Sequence, residues 1–161
     1  MKINIKDYKN RKHLSQEIAV SLNKVINYLN IDTSKIKQVN IVVLKDFPTA
    51  EGYDKAFARL YQNQEVNLII NPSYDQNQNT RLSLLAHELT HVKQMINQEL
   101  IFSLNGKQKT YLYKNKQYTK VYSFAVFDSL CEDREAQINY ISKICPWEEE
   151  PSRVADFLCQ E

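Results

Sequence analysis

Two periods alternate along this chain, and together they divide it into strands and helices. Lys2 to Tyr8 alternates apolar and polar residues, with Ile3 and Ile5 on one face, which predicts a short strand. From Leu14 to Leu29 the spacing becomes helical: Leu14, Ile18, Leu22, Val25 and Leu29 share one stripe, and Ser15 is placed to cap its start. Residues 31–37 read as a connector. Val39 to Leu44 is a β-branched run that predicts a central strand, broken at Phe47-Pro48-Thr49. Ala56 to Tyr61 and Glu65 to Asn71 predict a hairpin around Gln62-Asn63-Gln64, closed by Asn71-Pro72. A polar loop over residues 73–79 follows, with Asn79 or Thr80 expected to cap a second helix whose stripe is Leu85, Leu89, Val92 and Ile96.

The second half changes character. Residues 101–122 contain Asn105-Gly106 and then Lys109 to Tyr122, where Tyr111, Tyr113, Tyr118 and Tyr122 alternate with lysines, which predicts another hairpin with its turn near Lys114-Asn115-Lys116. Those tyrosines read as the half-buried face of a small sheet in preference to a substrate groove. Ser123 to Ile144 predicts a third helix with Phe124, Phe127, Cys131, Ile138 and Ile141 on its core stripe, ended by Pro146-Trp147. The tail, residues 148–161, holds an acidic run and a short amphipathic piece, Val154 to Leu158. The expected class is α+β, as one domain over 1–161, long enough to bury a core without disulfides.

Composition removes several function classes. The net charge is +2 with Lys and Arg scattered, so no electrostatic case arises for a nucleic-acid or membrane partner. No run of about 18 apolar residues predicts a membrane span. Met1 to Asn10 lacks the hydrophobic stretch of a signal peptide, and a cytoplasmic location is expected. Cys131, Cys145 and Cys159 are an odd number without a C-x-x-C pair, which reads as reduced thiols and not as a zinc ribbon.

The chemistry concentrates in His87-Glu88-Leu89-Thr90-His91, an H-E-x-x-H on the second helix. Histidines one turn apart point the same way and can reach a single Zn2+, while Glu88 between them is placed to act on a water as general base. The five-residue pattern also arises by chance in unrelated helices. Here its apolar flank sets the histidines at a core boundary, and they are two of only three in the chain. The third, His13, reads as a solvated helix-end residue. A catalytic zinc takes three protein ligands plus water, so one more ligand must come from a distant position. The candidates are Glu132, Asp133 and Glu135 on the third helix; Cys131 reads as core packing, and Arg134 beside them is expected to need a carboxylate partner.

His87-Glu88-Leu89-Thr90-His91 followed by Asp133-Arg134-Glu135-Ala136 resembles the small gluzincin-type zinc metallopeptidases, in particular those encoded by phages and mobile elements. In that group a downstream E-x-E-A helix supplies the third ligand, three residues before the alanine. By register with Ala136 the resemblance implies Asp133, an Asp where the family has Glu, so Glu135 and Glu132 stay open. Pro146-Trp147-Glu148-Glu149-Glu150 also resembles a P-W-E-x-E form of the motif, but Pro151 stands where alanine is expected and Glu148 ranks last. The resemblance implies a minimal zincin-like domain: a small twisted sheet packed on the H-E-x-x-H helix and on a second, carboxylate-bearing helix. It further implies hydrolysis of a peptide or protein substrate by a zinc-activated water with Glu88 as base. An edge strand from Ala56 to Tyr61 or Glu65 to Asn71 would pair with the substrate, and one of Tyr111, Tyr113, Tyr118 or Arg134 would assist at the oxyanion. Two other classes compete: an inactive zinc-binding or regulatory module, and a structural protein of a phage or mobile element.

Overall fold

The computed structural model describes residues 1–44, 56–70, 78–105, 108–118 and 133–159. Strand β1 (Lys2–Asp7) runs parallel to β2 (Gln38–Val43), joined by the crossover helix α1 (Lys12–Leu29). Strand β4 (Glu65–Ile70) lies parallel to β2 on its other side, and β3 (Ala56–Leu60) pairs antiparallel with β4 as the outer strand, giving the order β1-β2-β4-β3. The β3–β4 hairpin falls where the alternation predicts it. Successive side chains leave a strand on opposite faces. Val39, Ile41, Val43, Val66, Leu68 and Ile70 therefore all face the helical layer and are buried. Across the other face Asn4, Asn40 and Asn67 stand in register and join their amides at 3.1 and 3.0 Å.

Helix α1 buries Leu14, Ile18, Leu22, Val25 and Leu29, the predicted stripe. Its start differs from expectation. Ser15 lies inside the helix, with its hydroxyl on the Arg11 carbonyl, and Arg11 is the N-cap. The capping work passes to Asp7 at the end of β1, whose carboxylate accepts the Arg11 backbone N–H at 2.9 Å and its guanidinium at 2.7 and 2.9 Å. Those Arg11 hydrogen bonds outweigh burial and hold Asp7 down at about 2. At the other end Asn30 takes the left-handed conformation (φ 52°) that closes a helix.

Helix α2 (Gln78–Ile96) carries the H-E-x-x-H, and Asn79 and Thr80, expected to cap it, lie within its first turn. Leu84, Leu85, Ala86, Glu88, Leu89, Thr90, His91 and Val92 are all buried, far more than one stripe. The reason is tertiary: β3 and α1 pack on this helix, and so does a helix from the far end of the chain. An ion pair from Arg81 to Glu17 ties it to α1.

Strands β5 (Leu100–Asn105), β6 (Gln108–Tyr113) and β7 (Lys116–Tyr118) form a separate antiparallel sheet. Its β6–β7 turn is the predicted one. Lys114 and Asn115 both have positive φ (47° and 68°), the two-residue geometry whose twist suits a hairpin. Helix α3 (Arg134–Ile144) buries Ile138 and Ile141, as its periodicity requires. The rest of the expected third helix, with Phe124, Phe127, Cys131 and Glu132, lies outside the described residues, as do Tyr122 and Asn71-Pro72.

The tail holds the largest departure. Pro146–Glu148 forms a 3-10 turn, and what reads as a short amphipathic piece is a full helix, α4 (Glu149–Cys159), packed along α2 with Pro151, Ser152, Ala155 and Leu158 buried. Pro151 does not break it, because it occupies the first turn, where no backbone N–H has a helical partner to lose. Arg134–Asp156 and Arg153–Glu135, each at 2.9 Å, tie α3 to α4. Cys145 is buried, and the Cys159 Sγ donates to the Asn79 carbonyl at 3.3 Å. The architecture is mixed α+β, and among the described residues no helix is long and apolar enough to cross a membrane.

Candidate metal centre

His87 and His91 project from the same side of α2, one turn apart, with ring centroids 5.0 Å apart. The carboxylate that meets them is Glu148, on the 3-10 turn that feeds α4. Its Oε2 lies 2.8 Å from His87 Nε2 and 3.2 Å from His91 Nε2. Asp133 and Glu135, expected to supply the third ligand, stand elsewhere. Asp133 caps α3, its Oδ1 accepting the Glu135 N–H at 3.2 Å. The Glu135 carboxylate is held at the surface by the Arg153 guanidinium at 2.9 and 3.1 Å. Arg134 finds its carboxylate partner in Asp156. His13 is exposed and pairs with Glu17 one turn on, as a helix-end residue does.

This group of donors could hold a metal ion. Two nitrogens and one carboxylate oxygen lie within 4.8 Å of one another, and nitrogen plus oxygen is a combination Zn2+ accepts. Ligands about 2 Å from a tetrahedral ion sit roughly 3.3 Å apart. The His91–Glu148 separation already matches, and the His87–Glu148 separation needs only a small opening. Three protein donors would leave the fourth position for water or substrate.

The electrostatics follow from crowding these groups in a half-closed space. Burial disfavours a charged His91, but the Glu148 charge and hydrogen bond, with Glu88 beyond, prevail and raise it from 6.5 to about 9. Burial likewise opposes an ionised Glu148, and the two imidazoles override it, pushing its carboxyl below the ordinary range. Glu88 goes the other way. Its burial raises the carboxyl, against the pull of His87, His91 and a hydrogen bond from the Ala58 backbone N–H. One acid is thus held ionised among the nitrogens, and the acid between them is held toward its neutral form. Environments that push two carboxyls apart in this way are what acid–base chemistry needs.

Behind the donors stands a second set of contacts. His91 Nδ1 meets Gln94 Oε1 at 3.0 Å, and Gln94 Nε2 donates to the Trp147 carbonyl at 3.0 Å. The Trp147 indole is buried against Leu100, Ile141 and Cys145, with Tyr111 stacked on it at 4.8 Å and Tyr118 edge-on at 5.1 Å. Tyr113 packs on the same indole at 6.3 Å. The predicted tyrosine face of the small sheet therefore serves to clamp the turn that carries Glu148. Glu148 and Gln94 are what sequence reasoning undervalued. The P-W-E-E-E run was the only signal for the first, and for the second there was its place three residues after His91, on the same helix face.

No family model, no curated protein and no solved structure matches this chain, so its function is read from the geometry of this centre.

Proposed function

We propose that the chain is a zinc-dependent metallopeptidase whose metal ligands are His87, His91 and Glu148 and whose general base is Glu88. The observation that carries this reading is the convergence of the two Nε2 atoms and the Glu148 Oε2, from segments 57 residues or more apart, beside a buried carboxyl. A zinc ion held there would polarise a carbonyl and lower the pKa of water toward about 7.

The remaining steps belong to the chain itself. Glu88, whose burial makes its carboxylate a stronger base, takes a proton from the attacking water and hands it to the leaving amine. Ala58 fixes the Glu88 carboxylate through its N–H, which also brings β3 alongside the site. As the outer strand of its sheet among the described residues, β3 offers its outer edge to an extended peptide by β-augmentation. Of the expected oxyanion donors, Tyr111, Tyr113 and Tyr118 pack on Trp147 and Arg134 pairs with Asp156, so none is assigned that role.

The test is metal content followed by turnover. Purified wild type is expected to carry near one equivalent of zinc and to cleave an unstructured protein. Glu88→Gln should keep the zinc and lose the cleavage. Zinc with no cleavage by wild type would favour a binding or regulatory module, and no zinc at all would leave a structural protein.

A further inference from the structure

Hydrogen-bond polarity around Gln94 leaves one solution. The Trp147 carbonyl can only accept, so the Gln94 amide nitrogen must face it; the amide oxygen then faces His91 and can only accept in turn. His91 must therefore carry a hydrogen on Nδ1, which leaves Nε2 as the lone-pair nitrogen of the neutral ring. That is the nitrogen already turned toward Glu148. Gln94 is 1% exposed, so bulk water does not compete for either bond.

We propose that Gln94 is a positioning residue of the metal centre: through one amide it selects the ligating nitrogen of His91 and anchors the turn that presents Glu148. The inference rests on the metal reading above. His91 belongs to α2, while Glu148 enters from a turn 57 residues later that shares no local structure with it. Gln94 spans the two, bonded to one ligand's ring and to the backbone next to the other. Metal-bound histidines commonly donate their second N–H to such a partner, and its loss costs typically 10–100-fold in affinity. Here the same side chain also acts on the carboxylate arm, so its removal loosens two ligands at once.

The experiment compares full-length wild type, Gln94→Met and Gln94→Asn. Zinc affinity is measured by competition with a chromogenic chelator, and ligand geometry by the visible bands of the cobalt(II)-loaded protein. Methionine keeps the length and volume of glutamine but can neither accept from His91 nor donate to Trp147. It is expected to weaken zinc about 10–100-fold and to shift the cobalt bands. Asparagine keeps the amide but is one methylene too short to reach both partners, so a smaller loss in the same direction is expected. A glutamine with only a packing role would lower the melting temperature of the metal-free protein while folded variants kept wild-type affinity and bands, and that result overturns the proposal. Should Gln94→Met fail to fold, Gln94→Asn decides on the same two readouts. Wild type that binds neither ion would defeat the metal reading itself, and this inference with it; wild type that binds alongside unchanged variants defeats this inference alone.

Discussion

Helix α2 and the Pro146–Glu148 turn contribute to one centre by opposite means. On α2 the two imidazoles are aligned by helix geometry, because residues four apart share a face wherever the helix forms. The turn has no such rule. Glu148 reaches the histidines because Trp147 is packed among Leu100, Ile141, Cys145 and three tyrosines, and because Gln94 holds the Trp147 carbonyl. What differs is where the precision comes from: from the backbone in one case, from packing in the other. A site of this kind should tolerate changes near α2's solvent side far better than changes in the aromatic cluster that lies well behind it.

Removing the Glu148 carboxylate has the largest expected effect. Glu148→Ala is expected to abolish zinc binding at concentrations that saturate wild type, read by metal analysis after dialysis. Asp133→Ala and Glu135→Ala should retain one equivalent. The reverse pattern would return the site to α3. Next in size, Glu88→Gln should lower turnover by roughly 10²–10⁴-fold with zinc retained, the range removal of a general base produces. Loss of metal in that variant would mean that Glu88 helps hold the ion.

Trp147→Ala tests the packed arm directly. Emptying so large a buried side chain typically costs about 3–5 kcal/mol, measured by denaturant unfolding of the metal-free protein. Zinc affinity should fall with it, because the carbonyl that Gln94 grips and the carboxylate that follows both move. Full affinity in a destabilised but folded variant would show that the turn is positioned without the aromatic cluster.

A pH titration gives a smaller effect. In the metal-free protein His91 is raised to about 9 from 6.5. A raised folded pKa stabilises fully below the unfolded value, so this contribution is present below pH 6.5 and disappears as pH climbs through 9. At 1.36 kcal/mol for each unit, the loss is at most of order 3 kcal/mol, read by denaturation of chelator-treated protein at both ends of that window. Glu148 behaves inversely. Its depressed pKa contributes stability above the ordinary carboxylate value, lost only as pH falls through the depressed one. Zinc competes with the His91 proton, so its apparent affinity should rise across the same window. His91→Gln should flatten both curves.

Most of the fold is legible along the chain. The alternation in β1, β2 and the β3–β4 hairpin, the α1 stripe and the lysine–tyrosine hairpin each reflect a periodicity that backbone geometry imposes locally. The misplaced helix starts at Ser15 and at Asn79 or Thr80 have a common origin. Capping signals are short, and at α1 the function passed to Asp7, a strand residue whose carboxylate reaches forward four positions. Helix α4 is longer than its sequence signals, because Pro151 and a scatter of charges obscure a stripe that matters only once α2 lies beside it.

The carboxylate beside the histidine pair shows the limit most plainly. Register with Ala136 favours Asp133, yet Asp133 serves as the cap of α3 and Glu135 is taken by Arg153. Both are ordinary fates for acids at a helix start. Which of several nearby carboxylates meets a histidine pair depends on the path of the chain between them, and no local pattern encodes that path. Sequence alone determined the elements, their apolar faces and the pairing of His87, Glu88 and His91, since these follow from periods of two and 3.6 residues. Tertiary structure decided that Glu148 completes the group and that Gln94 joins its halves, because those contacts span more than fifty residues and exist only when α4, the tyrosine sheet and α2 have packed together.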